Sequence, residues 1–156
     1  MTATSRATVD DFLAQKRIAF VGISRNGADF SRTLWAELKR RGYDLVPVHP
    51  EAAEIDGVAC VSRVTGIQPA PDGALLLVPA ETTQRIVRDC AAAGIRRVWM
   101  YRAAGRGAVS EEAVQFCGEN GIAVVAGECP FMFLPGAGGV HAFHGWWRRL
   151  TGRYPS

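Results

Sequence analysis

Short runs of almost unbroken apolar residues, separated by longer stretches with a helical repeat, constrain this chain more than any other feature. Arg17-Ile-Ala-Phe-Val-Gly22 is the first such run. It lacks the in–out alternation of a half-exposed strand and so predicts a strand covered on both faces. Residues 31–41 follow, with Leu34, Trp35 and Leu38 on one helical face and Gly42 at the C-cap. The pattern then repeats: strand 44–48, strand 74–78, helix 81–93 stopped by Gly94, strand 96–101, a helix from Ser110 to Gly121 and strand 122–126. Pro47 needs a strand position that donates no ladder bond. Thr8 reads as the cap of a short leading helix, and residues 57–66 read as irregular with one short helix. Alternation of this kind with short links predicts an α/β fold, a Rossmann-like doubly wound parallel sheet of about five strands with helices on both faces.

A chain of 156 residues suits one domain. We place it at 1–135, followed over 136–156 by the glycine-rich link Gly136-Ala-Gly-Gly139 and a short basic aromatic helix packed on the domain. Phe143, Trp146, Trp147 and Leu150 fall on one side of that helix, among Arg148, Arg149 and Arg153. A surface for a second copy or a protein partner is the alternative reading of this segment.

The net charge is only +3, and Lys16 and Lys39 are the only lysines. So small a basic excess argues against a nucleic-acid partner. No apolar run approaches the roughly 18 residues of a membrane span, and the N-terminus lacks the apolar core of a secretory signal. The expectation is a cytoplasmic protein with reduced thiols. Its cysteines, Cys60, Cys90, Cys117 and Cys129, form no C-x-x-C pair, which excludes a zinc ribbon or a thioredoxin motif. Cys90 and Cys117 sit in apolar helical patterns and read as small buried residues.

The first strand runs into Gly22-Ile-Ser24-Arg-Asn-Gly27, the spacing of G-x-G-x-x-G with serine at the second glycine. Small residues let backbone N–H groups approach a diphosphate, and the following helix directs its positive N-terminus at the same charge. Ser24 and Ser31 offer hydroxyls, and Arg25 and Arg32 flank the turn. The plainer alternative is a tight strand-to-helix turn and nothing more. The end of the second strand reads Val48-His49-Pro50-Glu51. Glu51 keeps open an NAD site, which uses an acid there for the ribose hydroxyls. A three-ligand zinc site from Cys129 with His141 and His144 has no evident fourth ligand and glycines intervene, and nothing in the spacing of His49, Glu128 and Cys129 shows that they meet as a catalytic set.

Gly22-x-Ser24, Ser31, Leu38, Gly42-Tyr43, Val46-Pro-Val48, Pro50, Val78-Pro79, Val98-Trp-Met100 and Cys129-Pro130 occur in order across the chain. Over about Ile18 to Pro135 this set resembles small bacterial CoA-binding domain proteins, and it is similar to the CoA-binding half of the succinyl-CoA synthetase α chain. The resemblance implies a Rossmann-like fold with coenzyme A lying across the strand C-termini. Gly22 and Ser24 would meet the diphosphate and Ser31 would support that turn. Residues 48–50 would border the adenosine, and Val78 and Pro79 would flank its ring. The expected cofactor-binding set is Gly22, Ile23, Ser24, Arg25, Ser31, Arg32, Val48, His49, Pro50, Val78 and Pro79, with no catalytic or metal-binding residue.

Two positions depart from the pattern. His49 stands where asparagine is common, and Glu51 where the family often has the lysine that suits the 3′-phosphate; Arg25 or Arg32 would then have to compensate. The expected function is a stand-alone module that binds coenzyme A or an acyl-CoA, as carrier or sensor, without catalysis of its own. The chain ends soon after the Rossmann-like part, which leaves no room for the phosphohistidine domain of the synthetase or the substrate domain of a dehydrogenase. An NAD(H)-binding oxidoreductase or redox regulator, and a subunit of an acyl-CoA-forming enzyme, are the alternatives.

Overall fold

A computed structural model describes residues 4–102 and 107–135 of the chain. Helix α1, Arg6–Leu13, leads into strand β1, Arg17–Val21, helix α2, Phe30–Arg40, and strand β2, Asp44–Val48. A small hairpin of β3, Glu54–Ile55, and β4, Val58–Ala59, follows, then a 3-10 turn at Val64–Gly66. Strand β5, Gly73–Leu76, helix α3, Ala80–Ala92, strand β6, Arg97–Tyr101, helix α4, Glu111–Glu119, and strand β7, Ala123–Glu128, complete the order, and a 3-10 turn at Pro130–Met132 closes it.

Five strands form one sheet in the order β2-β1-β5-β6-β7, and every pairing is parallel. The fold is the expected Rossmann-like α/β sheet. Alternate residues of β1 feed two separate cores. Ile18 and Phe20 pack with Val9 and Phe12 of α1 and Leu34, Trp35 and Leu38 of α2. Ala19 and Val21 pack with Ile86, Val87 and Cys90 of α3 and Ala113 and Cys117 of α4. Both faces are therefore covered, which is why the strands read as continuous apolar runs. Leu75 and Trp99 are fully buried, and cutting a side chain such as Leu75 back to alanine costs about 2–5 kcal/mol.

Pro47 lies in β2, an edge strand, and its carbonyl accepts the N–H of Val61 at 3.0 Å. Ser5, not Thr8, caps α1: the Ser5 hydroxyl accepts the N–H of Thr8 at 3.1 Å. Both residue types cap well, and the earlier start places Val9 and Phe12 as the buried pair one turn apart. The β3–β4 hairpin stands where irregular chain was expected. Its turn, Asp56-Gly57, has positive φ at both residues, 48° and 76°, as a two-residue hairpin of the inverted type demands.

No helix among the described residues is long and apolar enough to cross a membrane. The C-terminal segment 136–156, with its aromatic and arginine side chains and both histidines of the suggested zinc set, lies outside the described residues.

Candidate functional site

In a parallel sheet the strand C-termini expose backbone to a crevice where the strand order reverses. Here the reversal falls between β1 and β5, since the chain leaves β1 to build β2 on one side and returns to build β5 on the other. Gly22 follows β1 and Leu77-Val78-Pro79 follows β5. The two segments touch backbone to backbone. Gly22 has φ of 93°, and a Cβ placed on it would lie 2.2 Å from the Leu77 carbonyl oxygen. Only glycine fits there, for steric as well as conformational reasons.

Gly27 is different. It has open space around it and no positive φ, and α2 begins three residues later at Phe30. The third glycine of the fingerprint therefore plays no part in helix–strand packing, and the match at that position is one of spacing only.

The turn between β1 and α2 is held by its own side chains. The Ser24 N–H donates to the Ser31 hydroxyl at 2.9 Å, and the Asn26 N–H donates to the Ser24 hydroxyl at 3.0 Å. Asp29 caps α2 by accepting the Ser31 N–H at 2.8 Å. Hydrogen bonds from the Ser31 side chain and backbone hold the Asp29 carboxyl below its usual range. Ser31 is 2% exposed, so its hydroxyl serves the turn and is not displayed to a ligand. Arg32 donates to the carbonyls of Ser24 and Arg25, both at 3.3 Å, and pairs with Asp56 of the hairpin. Arg25 pairs with Glu51 at 3.2 Å, both side chains exposed. The N–H groups of Arg25 and Gly27 have no acceptor among the described residues.

Two cavities open on either side of the Gly22–Val78–Pro79 saddle. The smaller, of about 240 Å³, brings together Gly22, Ile23, Val48, His49, Pro50, Val78 and Pro79, seven of the expected residues, at the ends of three strands. Its remaining wall comes from Ser62, Arg63 and Val64 and from Thr82, Arg85, Ile86 and Asp89 of α3, which the sequence reading missed. The larger, of about 410 Å³, adds Ser24 and Ser31 and is walled by Phe30 and Tyr101. Those two rings stack at 5.3 Å between centroids. Burial, with Cys129 nearby, pushes the Tyr101 hydroxyl up to about 12, so it is a neutral donor at physiological pH. Tyr101 reaches this wall through an irregularity: Met100 pairs with Ala126 but Tyr101 with Glu128, so Gly127, at φ of 82°, is the extra residue of a bulge. Arg25 and Arg32 line neither cavity.

His49 Nδ1 accepts the N–H groups of Glu51 and Ala52 at 3.0 and 2.9 Å. A nitrogen that accepts carries no proton, so the ring proton resides on Nε2. His49 thereby fixes the corner after β2. It cannot join Cys129 and Glu128 in a catalytic set. Those residues follow or end β7, at the opposite edge of the sheet, about 19 Å away across four strand spacings. Cys129 is 2% exposed, and the carbonyl of Glu128 takes the Trp99 indole N–H at 2.9 Å. Among the described residues no group of three or more histidine, cysteine, aspartate or glutamate side chains is placed to hold a metal ion.

Residues 16–135 match the CoA binding domain family over most of the chain. The chain belongs to that family. A protein of Bacillus subtilis known as uncharacterized protein YneT is 28% identical over 130 residues, covering 83% of this chain and 93% of that protein. An ADP-forming acetate–CoA ligase II of Archaeoglobus fulgidus is 30% identical over 89 residues, 55% of this chain but only 13% of the ligase. Among solved structures, a hypothetical protein from Pyrococcus horikoshii superposes with a TM-score of 0.74 at 26% identity, covering 81% of this chain and 87% of that one. The family gives the NAD alternative no support, and Glu51, the acid it needed, is paired with Arg25.

Proposed function

We propose that this CoA binding domain protein binds coenzyme A or an acyl-CoA as a stand-alone module, a carrier or sensor without catalysis of its own. The observation that carries the reading is the pair of cavities joined over Gly22, Val78 and Pro79. A two-part ligand with a charged centre fits that shape: a nucleoside in the smaller cavity, a diphosphate over the Gly22–Ser24 turn, and a flexible arm along Phe30 and Tyr101. The unpaired N–H groups of Arg25 and Gly27 supply donors beside the expected diphosphate position. The separation of His49 from Cys129 and Glu128 supports the non-catalytic reading.

Native mass spectrometry and thermal denaturation test this. Coenzyme A should be retained as a one-to-one complex and raise the Tm, with a stabilisation of about 4 kcal/mol at 1,000 times its Kd. A shift with NADH and none with coenzyme A would refute it. The likeness to the acetate–CoA ligase favours a second reading, a subunit of an acyl-CoA-forming enzyme. Formation of acyl-CoA from acetate, ATP and coenzyme A only when a second chain is added would favour that reading over the first.

A further inference from the structure

The smaller cavity is lined by three formally charged side chains, Arg63, Arg85 and Asp89. Asp89 is buried, at 7% exposure, and receives Arg63 in a fork, Nε at 3.2 Å and Nη2 at 2.7 Å. Arg85 Nη1 stands 4.0 Å from the same carboxylate. Two guanidinium groups share one carboxylate, so this wall keeps one positive charge in excess. Both arginines are more than half exposed and open to a ligand, with the fork anchored by a carboxylate that cannot move away. The opposite corner has no such excess, because Glu51 and Arg25 cancel, and so do Arg32 and Asp56.

A guanidinium presents planar donors that match a phosphate monoester, and such pairs are strong when partly screened from water. We propose that Arg63 and Arg85 bind the phosphate monoester on the ribose of the nucleotide, with Asp89 as the residue that positions Arg63. This assigns the recognition of that phosphate to α3 and the residue before the 3-10 turn at Val64–Gly66, and not to the corner after β2. It rests on the coenzyme A reading above.

Calorimetric titration of the intact chain with coenzyme A and with dephospho-CoA, which lacks the ribose phosphate, tests the assignment. Wild type should bind coenzyme A about tenfold more tightly. Arg85→Glu should remove that preference and leave dephospho-CoA affinity within about twofold, well below a tenfold effect. Arg63→Lys keeps a charge beside Asp89 but loses the fork, and should reduce the preference in part; its thermal denaturation reports on folding. Equal wild-type affinity for the two ligands overturns the assignment while leaving the coenzyme A reading in place. A preference that survives in both variants overturns it as well. Binding of neither ligand by wild type overturns the coenzyme A reading itself.

Discussion

The backbone N–H of Ser24 donates to the hydroxyl of Ser31 at 2.9 Å, which fastens the turn after β1 to the first turn of α2. The backbone N–H of Ser31 in turn donates to Asp29 at 2.8 Å, so one buried residue sets the shape of the loop on which the diphosphate is proposed to rest. Ser31→Ala removes the hydroxyl that holds Ser24 and leaves the backbone N–H of residue 31 on Asp29. It should cost about 1 kcal/mol in stability, and should lower coenzyme A affinity even though the side chain meets no ligand. Urea unfolding and calorimetry of the same preparation measure the two effects.

Ser24→Asp places a carboxylate where the diphosphate is proposed to lie. Affinity for coenzyme A should fall by at least about tenfold, with the Tm of the ligand-free protein within a few degrees of wild type. Unchanged affinity would move the site away from this turn.

Gly22→Ala is expected to act differently from the loss of a ligand contact. The added Cβ meets the Leu77 carbonyl at 2.2 Å and the φ of 93° is itself unfavourable for alanine. The variant should lose at least about 2 kcal/mol of stability in denaturant titration without any ligand present. A stable Gly22→Ala protein would show that the saddle is looser than described.

The Asp29 cap gives a pH dependence of known sign. Its pKa in the folded chain lies below the ordinary 3.8, so its stabilisation is present above that value and is lost as pH falls through the folded one. Asp29→Ala should cost about 1 kcal/mol at pH 7 and progressively less below pH ~4. Unfolding curves for both proteins from pH 7 down to the acid limit of folding follow the difference.

The cysteines should separate by reactivity. Burial pushes the Cys90 and Cys117 thiols up to about 12 and about 11, and Cys129 is buried, whereas Cys60 is part-exposed. Alkylation at pH 8 followed by mass spectrometry should label Cys60 first, and the other three only in denaturant.

Glu51→Gln frees Arg25 beside the turn. It should tighten coenzyme A and dephospho-CoA by similar amounts, each less than about 1 kcal/mol, because the pair is exposed. An effect confined to coenzyme A would bring Glu51 next to the ribose phosphate after all.

Much of this architecture was legible in the residues. The strands were; in the inner ones, β1, β5 and β6, burial on both faces leaves a signal through almost the whole run. The start of α4 at Ser110 was too, and there the hydroxyl accepts the Ala113 N–H at 3.2 Å. The hairpin was not read, since its strands have two residues each, too few to show a period, although Asp56-Gly57 carried the turn signal. Gly27 misled because a spacing motif does not reveal φ or neighbours. Arg63 was hidden in a stretch read as irregular. Arg85 was recoverable: Thr82 and Asp89 lie with it at i−3 and i+4 on α3, a polar stripe beside the apolar face that Ile86 and Val87 bury. What no single sequence displays is that Asp89 and Arg63, 26 positions apart, share a fork.

The contact of Gly22 with Leu77 has a consequence for how such a protein diversifies. The floor of the crevice is main chain resting on main chain, and substitution offers no alternative there that keeps the sheet intact. Ligand preference must therefore drift through the walls, at exposed positions such as 51 and 85, where side chains change without disturbing the strands. Selection of a randomised library at those two positions for a new nucleotide should leave every recovered variant folded, while a library at position 22 should return glycine whatever ligand is used to select it.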